Sequence, residues 1–180
     1  MPSLIEFDDR CLCILRQSLL AARPEEGCAI LLGKHFEYGN HSDSSSPLLN
    51  GASSCPCIRV KFIWPVCNVW IPGIHGLNEV DGKDGSSLQS MPRSRRTRFA
   101  IDPLEQLHAQ RWARQKSWQI LGSAHSHPDG ESSLSEVDCR WALPPTLMVV
   151  VAGSGRIAAW WIESGHDGDR PRLTCLGEWS

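Results

Sequence analysis

Two histidines lie two positions apart in the sequence, with Ser126 between them and Pro128 directly after the second. On an extended strand, side chains two positions apart point to the same face, so the imidazoles of His125 and His127 share one face. Asp138 follows eleven residues after His127 and returns to that face if the chain turns after Pro128. Two imidazole nitrogens and one carboxylate form a three-ligand set for zinc, in which a fourth position stays open to water. This pattern predicts a catalytic metal site rather than a closed structural one.

A structural alternative accounts for the same residues one by one. An isolated His-x-His often arises by chance, and Ser135-x-x-Asp138 also matches a helix capping box with Ser135 at the N-cap. Taken alone, that motif is more often structural than catalytic. The two interpretations are compatible, because a capped helix start sets the direction in which Asp138 projects. The apolar strand before His125 and the proline after His127 favour the metal site.

Metal-assisted hydrolysis also needs a base, and a candidate lies far upstream. Glu26 stands just before the apolar run that begins at Cys28, where a carboxyl can be partly buried and its pKa raised. The alternative is that Glu25 and Glu26 are solvated acids at the end of a helix. The residue types by themselves favour that alternative.

Together these residues resemble the JAMM motif of the MPN+ family of zinc metallopeptidases. The motif has a glutamate, then His-Ser/Thr-His, a serine after seven further residues and an aspartate after two more. The Pro-x-Glu-x-Cys context is typical of short bacterial members, and it selects Glu26 over Glu25. The resemblance extends from about the first helix to about Trp161. The matching positions are Glu26, His125, Ser126, His127, Pro128, Ser135 and Asp138, with Cys67-Asn68-Val69 and residues 98–103 as further matching segments.

Two positions depart from the family pattern. Ala29 replaces a glycine that often follows the cysteine, and Leu134 replaces a proline that commonly precedes the serine. Neither is a metal ligand, so the resemblance implies an active enzyme whose loop conformation near the metal can differ from that of its relatives.

The resemblance assigns a role to each residue of the motif. His125, His127 and Asp138 would hold one Zn²⁺ per chain. Glu26 would take a proton from water and pass it to the leaving amine, and Ser135 would donate a hydrogen bond to the developing oxyanion. Ser126 faces the other side of the strand, which predicts a packing or supporting role.

The implied function is zinc-dependent hydrolysis of a peptide or isopeptide bond. The family suggests the C-terminal tail of a small ubiquitin-like or sulfur-carrier protein as substrate and partner. One alternative is a small-peptide or cell-wall peptide hydrolase. Another is a non-enzymatic binding scaffold, as MPN domains without the motif are, and the intact motif argues against it. The sequence leaves the oligomeric state open.

Composition excludes several other functions. A formal net charge of -2 offers no basic surface for nucleic acid, and no stretch approaches the apolar length of a membrane span. The segment from Met1 to Ala22 does not match a signal peptide, because it is interrupted by Glu6, Asp8, Asp9 and Arg10. These observations predict a cytoplasmic protein.

The eight cysteines include no Cys-x-x-Cys pair, so they do not indicate a zinc ribbon. Without a secretory signal we expect them to be reduced, and several to pack as small apolar side chains. Cys55 and Cys57 fall in a predicted loop and form a minor candidate for redox chemistry or adventitious metal binding. Trp64 and Trp70 flank the central strand and could line a substrate groove.

Hydrophobic periodicity predicts an α/β fold. Helices are expected from Glu6 to Ala22, from Asp102 (as N-cap) to Gln115 and from Ser135 to Trp141. Strands are expected at 28–34, 58–69, 99–101, 119–125, 146–152 and 157–163. This alternation predicts a three-layer domain. The resemblance specifies a curved mixed β-sheet flanked by helices, as in MPN/JAMM and cytidine-deaminase-like folds.

We expect a single JAMM/MPN+ metallopeptidase domain over residues 1–163, followed by a polar C-terminal tail at 164–180. Two long polar insertions, at about 35–57 and 73–97, interrupt the domain. Loops of this length in a compact domain are functional or mobile, and family analogy places such segments near the cleft.

Overall fold

A computed structural model describes residues 1–38, 55–75, 94–165 and 170–180 of the chain. Most of the two predicted insertions, at 39–54 and 76–93, lies outside the described residues, as do residues 166–169.

The described residues form the strands β1 Leu4–Phe7, β2 Cys28–Tyr38, β3 Cys55–Val66, β4 Gln119–His127, β5 Thr146–Ala152, β6 Ile157–Glu163 and β7 Arg172–Trp179 and the helices α1 Cys11–Leu20, α2 Pro103–Gln115 and α3 Glu136–Trp141. The strands make one mixed sheet with the order β1-β3-β2-β4-β5-β6-β7. The β1/β3 and β4/β5 pairs are parallel, and the other neighbouring pairs are antiparallel. The two edges of the sheet approach each other, since the rings of Phe7 and Trp179 are 5.1 Å apart. The predicted curved mixed sheet is therefore confirmed.

The central strand β2 is apolar on both faces, because a helix covers each face of the sheet. Ala29 and Leu31 belong to the larger core on the α1 side, whereas Ile30 and Leu32 belong to the smaller core beneath α2. A strand buried on both faces appears in sequence as an unbroken apolar run, as this one does. The predicted three-layer α/β arrangement is confirmed.

Each long helix packs on the sheet through one stripe of residues. Helix α1 buries Cys11, Leu15 and Leu19, which are four residues apart. Helix α2 buries only Ala109 and Ala113, so its axis can lie close to the strands. Asp102 caps α2, since its side chain accepts a hydrogen bond of 2.8 Å from the amide of Leu104. This confirms the capping role that the sequence predicts.

The sequence missed strands at both edges of the sheet. Residues 4–7 form β1, and α1 begins only at Cys11, whereas a helix was expected from Glu6. Within the predicted tail at 164–180, Arg172–Trp179 forms β7 against β6. Both strands exist through pairing with distant segments, which local periodicity does not reveal. Salt bridges from Glu6 to Arg59 and from Asp8 to Lys61 connect the β1 edge of the sheet to β3.

Other boundaries shift by a few residues. Strands β2 and β3 extend further into their hairpin than predicted, so Cys55 and Cys57 lie on β3 and not in a loop. They point to the same face with sulfur atoms 3.9 Å apart. Residues 99–101 were expected to form a strand, but they are an irregular segment that leads into α2. All eight cysteines are free thiols.

No helix in the described part of the chain combines the length and apolar character needed to cross a membrane.

Candidate active site

The end of strand β4 carries both histidines on one face. The Nε2 atoms of His125 and His127 are 3.0 Å apart, and His125 is fully buried. Ser126 between them faces the α1 side, where its hydroxyl accepts a hydrogen bond of 2.9 Å from the amide of Gly27 and donates one of 3.3 Å to the carbonyl of Leu19. The strand periodicity predicted from the sequence is confirmed.

Helix α3 supplies the carboxylate of Asp138. Its Oδ1 is 3.3 Å from Nε2 of His125, and its Oδ2 is 3.5 Å from Nε2 of His127. A capping box orients this side chain: the Ser135 amide donates to Asp138 Oδ2 at 2.7 Å, and the Asp138 amide donates to Ser135 Oγ at 3.2 Å. The predicted cap is thus present, and it aims the carboxylate at the histidines.

The donor set suits a cation. Nδ1 of His127 lies 2.9 Å from the carbonyl oxygen of Glu131, which can only accept, so Nδ1 carries a hydrogen, and in the neutral ring the lone pair of Nε2 faces the cluster. One ligand atom from each of His125, His127 and Asp138 lies within 4.8 Å of the others. Lone pairs brought this close repel each other unless a positive charge lies between them. This buried His-His-Asp group could therefore hold a metal ion.

The charges of these groups depend on one another. Burial alone would raise the pKa of Asp138, but the charge of His125 and hydrogen bonds from both histidines and Ser135 hold it well below its usual range. Burial lowers the pKa of His127, yet the hydrogen bond and charge of Asp138 outweigh this effect and raise it. The cluster therefore favours an anionic carboxylate beside positive charge.

Glu26 lines the same cavity of about 540 Å³ as Asp138 and is only 5% exposed. Burial, together with the charge of Asp138, raises the pKa of Glu26 to about 8 against the opposing charges of His127 and Arg98. Glu25, by contrast, keeps 45% of its side chain exposed and faces Arg95 at 3.9 Å. The interpretation of Glu26 as a solvated acid is therefore wrong, although residue types alone favoured it.

Backbone hydrogen bonds fix the position of Glu26 just before the start of β2. The Glu26 amide donates to the carbonyl of Arg95 at 2.7 Å, and the next residue, Gly27, exchanges hydrogen bonds with Ser126. A Cβ atom at Gly27 would lie 2.4 Å from the carbonyl oxygen of Leu19, so only glycine fits there. The supporting role expected for Ser126 thus has a structural basis, because it ties the Glu26 segment to the histidine strand.

The cavity wall is mostly apolar. Trp141 and Leu143 at its rim are 50% and 87% exposed, which is unusual for side chains of this size. Trp70 lines the cavity as expected, whereas Trp64 packs 5.8 Å from Trp112 on the α2 side and does not line it. Further apolar lining residues are Ile30, Phe99, Ile101, Ile120, Val137 and Met148.

The sequence did not single out Phe99, Arg98 or Asn68 as site residues. The ring of Phe99 stacks on His125 at 4.5 Å and 20° between planes. Arg98 lines the cavity beside Glu26. The only sequence signal for these residues was their place in segments that match the family, since their contacts join parts of the chain that are far apart.

A family model described as prokaryotic homologs of the JAB domain matches residues 9–163. The chain belongs to this family. The predicted resemblance to short bacterial JAMM/MPN proteins is therefore confirmed. Membership of this family is consistent with either a JAMM-type metallopeptidase or a scaffold. The His-His-Asp group is the part of this JAB-domain homolog that could bind a metal ion.

Solved structures show the same fold. A protein from Desulfitobacterium hafniense is 20% identical with a TM-score of 0.59, over 95% of this chain and 90% of that one. A protein from Salinibacter ruber is 21% identical with a TM-score of 0.51, over 94% of this chain and 88% of that one. Curated proteins yielded no match.

Proposed function

We propose that this JAB-domain homolog is a zinc-dependent metallopeptidase that hydrolyses a peptide or isopeptide bond. The observation that carries the proposal is the single cavity shared by the buried carboxyl of Glu26 and the Asp138 carboxylate of the His-His-Asp group. Buried groups with strongly shifted pKa values that meet in a cleft are typical of active sites.

In this proposal His125, His127 and Asp138 hold the zinc ion. When bound, the ion supplies a Lewis acid that polarises a carbonyl and makes water more acidic. Glu26 accepts the proton of the attacking water and returns it to the leaving amine. A pKa near neutrality suits a group that must both take up and release a proton.

Ser135 stabilises the carbonyl oxygen as negative charge develops on it. Its hydroxyl accepts the amide hydrogen bond of Asp138 and can still donate one, because a hydroxyl has one donor and two acceptor sites. Loss of one such donor typically raises the barrier by roughly 3 kcal/mol.

For the substrate we propose the C-terminal tail of a small ubiquitin-like or sulfur-carrier protein. An open cavity of about 540 Å³ with an apolar wall suits an extended peptide segment. A small-peptide or cell-wall peptide hydrolase and a non-enzymatic scaffold are the other possible outcomes. We further propose that the protein is cytoplasmic.

The proposal is tested by incubating zinc-loaded protein with small β-grasp proteins that carry tail extensions and weighing the products by mass spectrometry. Wild type should shorten a tail, and Glu26→Gln should not, because it lacks the proton acceptor. Glu25→Gln is the matched control, since it removes the adjacent carboxylate outside the cavity and should leave cleavage intact.

Metal analysis separates the enzyme from a scaffold. We expect about one zinc per chain in wild type and in Glu26→Gln, and loss of zinc in His127→Ala. If no tail is shortened, the sulfur-carrier assignment is wrong; if chelated and zinc-loaded proteins are equally inactive on every peptide, the enzyme assignment fails as well.

A further inference from the structure

The side chain of Asn68 lies where three segments of the chain meet beside the candidate site. Asn68 is the second residue after the end of β3 and is half-buried. Its Nδ2 donates to the carbonyl of Glu26 at 3.0 Å and to that of Arg98 at 2.9 Å, and a longer contact of 3.4 Å reaches the carbonyl of Arg95. Its Oδ1 accepts from the amides of Trp70 at 3.0 Å and Ala100 at 3.2 Å.

These contacts use the full capacity of a carboxamide, which has two donor hydrogens and two acceptor sites. They also determine its orientation, because a flipped amide would place NH₂ against two backbone N–H groups and oxygen against the carbonyls. Of the twenty amino acids, only asparagine offers this combination at this length of side chain.

Glu26 lies two residues before the start of β2, so the hydrogen bonds of the sheet do not hold its backbone. Its amide is held by the carbonyl of Arg95, and its carbonyl is held by Asn68. Both backbone groups of Glu26 therefore depend on the 94–100 segment and on Asn68. The same amide fixes Arg98 and Ala100, which flank the ring of Phe99 where it stacks on His125.

We propose that Asn68 is a positioning residue. It holds Glu26 and the cavity-lining residues 98–100 in place relative to the His-His-Asp group. It touches none of the three ligand side chains, so it acts on the proton acceptor and not on metal binding. This inference rests on the proposed hydrolase function. A displacement of a reacting group by about 1 Å can cost roughly 100-fold in rate, which sets the expected size of the effect.

The test uses full-length, zinc-loaded Asn68→Asp and Asn68→Ser with a tail-extended β-grasp protein as substrate. Asn68→Asp keeps the shape and the acceptor oxygen of the side chain. It replaces the donating NH₂ group by a second oxygen, which faces the carbonyls of Glu26 and Arg98. Asn68→Ser removes most of the contacts and adds no bulk. Both should lower kcat by roughly 100-fold while KM changes less than about twofold and zinc content stays at the wild-type value.

Arg16→Met is the matched control. Arg16 is half-buried and donates a hydrogen bond of 2.8 Å to the carbonyl of Gly155 on the α1 side. Its loss costs a side-chain-to-backbone hydrogen bond without touching the cavity, so kcat should stay at the wild-type value. If the Asn68 variants keep the wild-type kcat, as this control should, the positioning role is wrong.

A crystal structure of Asn68→Ser separates this inference from the proposed function, since it does not depend on activity. A Glu26 carboxylate displaced by about 1 Å or more, with the His-His-Asp group in place, supports positioning even if wild type cleaves no tail. An unmoved Glu26 overturns it, even if wild type proves to be an active peptidase.

Discussion

Glu26 illustrates how burial converts an ordinary acid into a candidate base. It lies next to Glu25 in the sequence, yet Glu26 is only 5% exposed, whereas Glu25 keeps 45% of its side chain exposed. The difference comes from the tertiary structure, because Glu26, and not Glu25, lines the cavity that Asp138 also lines. Because its pKa is raised, Glu26 should make the stability of the protein depend on pH.

In metal-free protein, the pKa of Glu26 is raised from 4.5 to about 8. The native state therefore binds a proton that the unfolded chain has released, and the free energy of unfolding falls as the pH rises from about 4.5 to about 8. Each pKa unit is worth roughly 1.4 kcal/mol, so the total loss is several kcal/mol. Glu26→Gln should match wild type near pH 4 and exceed it near pH 8.

Urea denaturation of wild type and Glu26→Gln with chelator, from pH 4 to pH 9, measures this difference. Glu25→Gln should follow the wild-type curve. Parallel curves for wild type and Glu26→Gln at all pH values would show that Glu26 is not desolvated in the native state.

Helix α3 is the element that joins the local and the distant parts of the site. It has only six residues, and the capping box between Ser135 and Asp138 determines where it begins. The same hydrogen bonds hold the carboxylate that faces the histidines. Ser135 therefore affects the site in two ways, through metal binding and through the proposed oxyanion contact.

Ser135→Ala removes the cap, which should cost about 1 kcal/mol of stability. It should also weaken zinc binding by roughly 10-fold, because the helix start that carries Asp138 is less firmly held, although the backbone amide at position 135 still donates to Asp138 Oδ2. Competition with a chromophoric chelator measures the affinity, and tail cleavage at saturating zinc measures the remaining effect on kcat. Unchanged zinc affinity with lower kcat would assign Ser135 to the oxyanion alone.

At the scale of the whole molecule, the candidate metal group connects strand β4 in the sheet to α3 outside it. An ion that binds only the native state stabilises it by mass action, by about 4 kcal/mol at 1,000 times the Kd. For a chain of this length that corresponds to a rise in Tm of roughly 10 °C.

Calorimetry of chelator-treated protein with increasing zinc should show this rise for wild type and Glu26→Gln but not for His127→Ala. An equal rise in His127→Ala would mean that zinc binds elsewhere, and the paired thiols of Cys55 and Cys57 would then be the first place to look.

The sequence by itself determined what depends on short spacing. A spacing of two positions places both histidines on one strand face, a spacing of three positions from Ser135 to Asp138 allows a cap, and an unbroken apolar run predicts a buried strand. The motif was sufficient to indicate the family and the curved sheet. These features are local, so the chain carries them wherever it folds.

Only the tertiary structure decided how distant segments meet. Strands β1 and β7 exist because remote partners pair with them, and Glu26 is buried because β2 lies beside β4. The network around Asn68 joins residues 27 to 42 positions apart in sequence, and no periodicity encodes such contacts. The pKa of Glu26 follows from the same cause, since burial depends on what the rest of the chain places around a carboxyl and not on its neighbours in sequence.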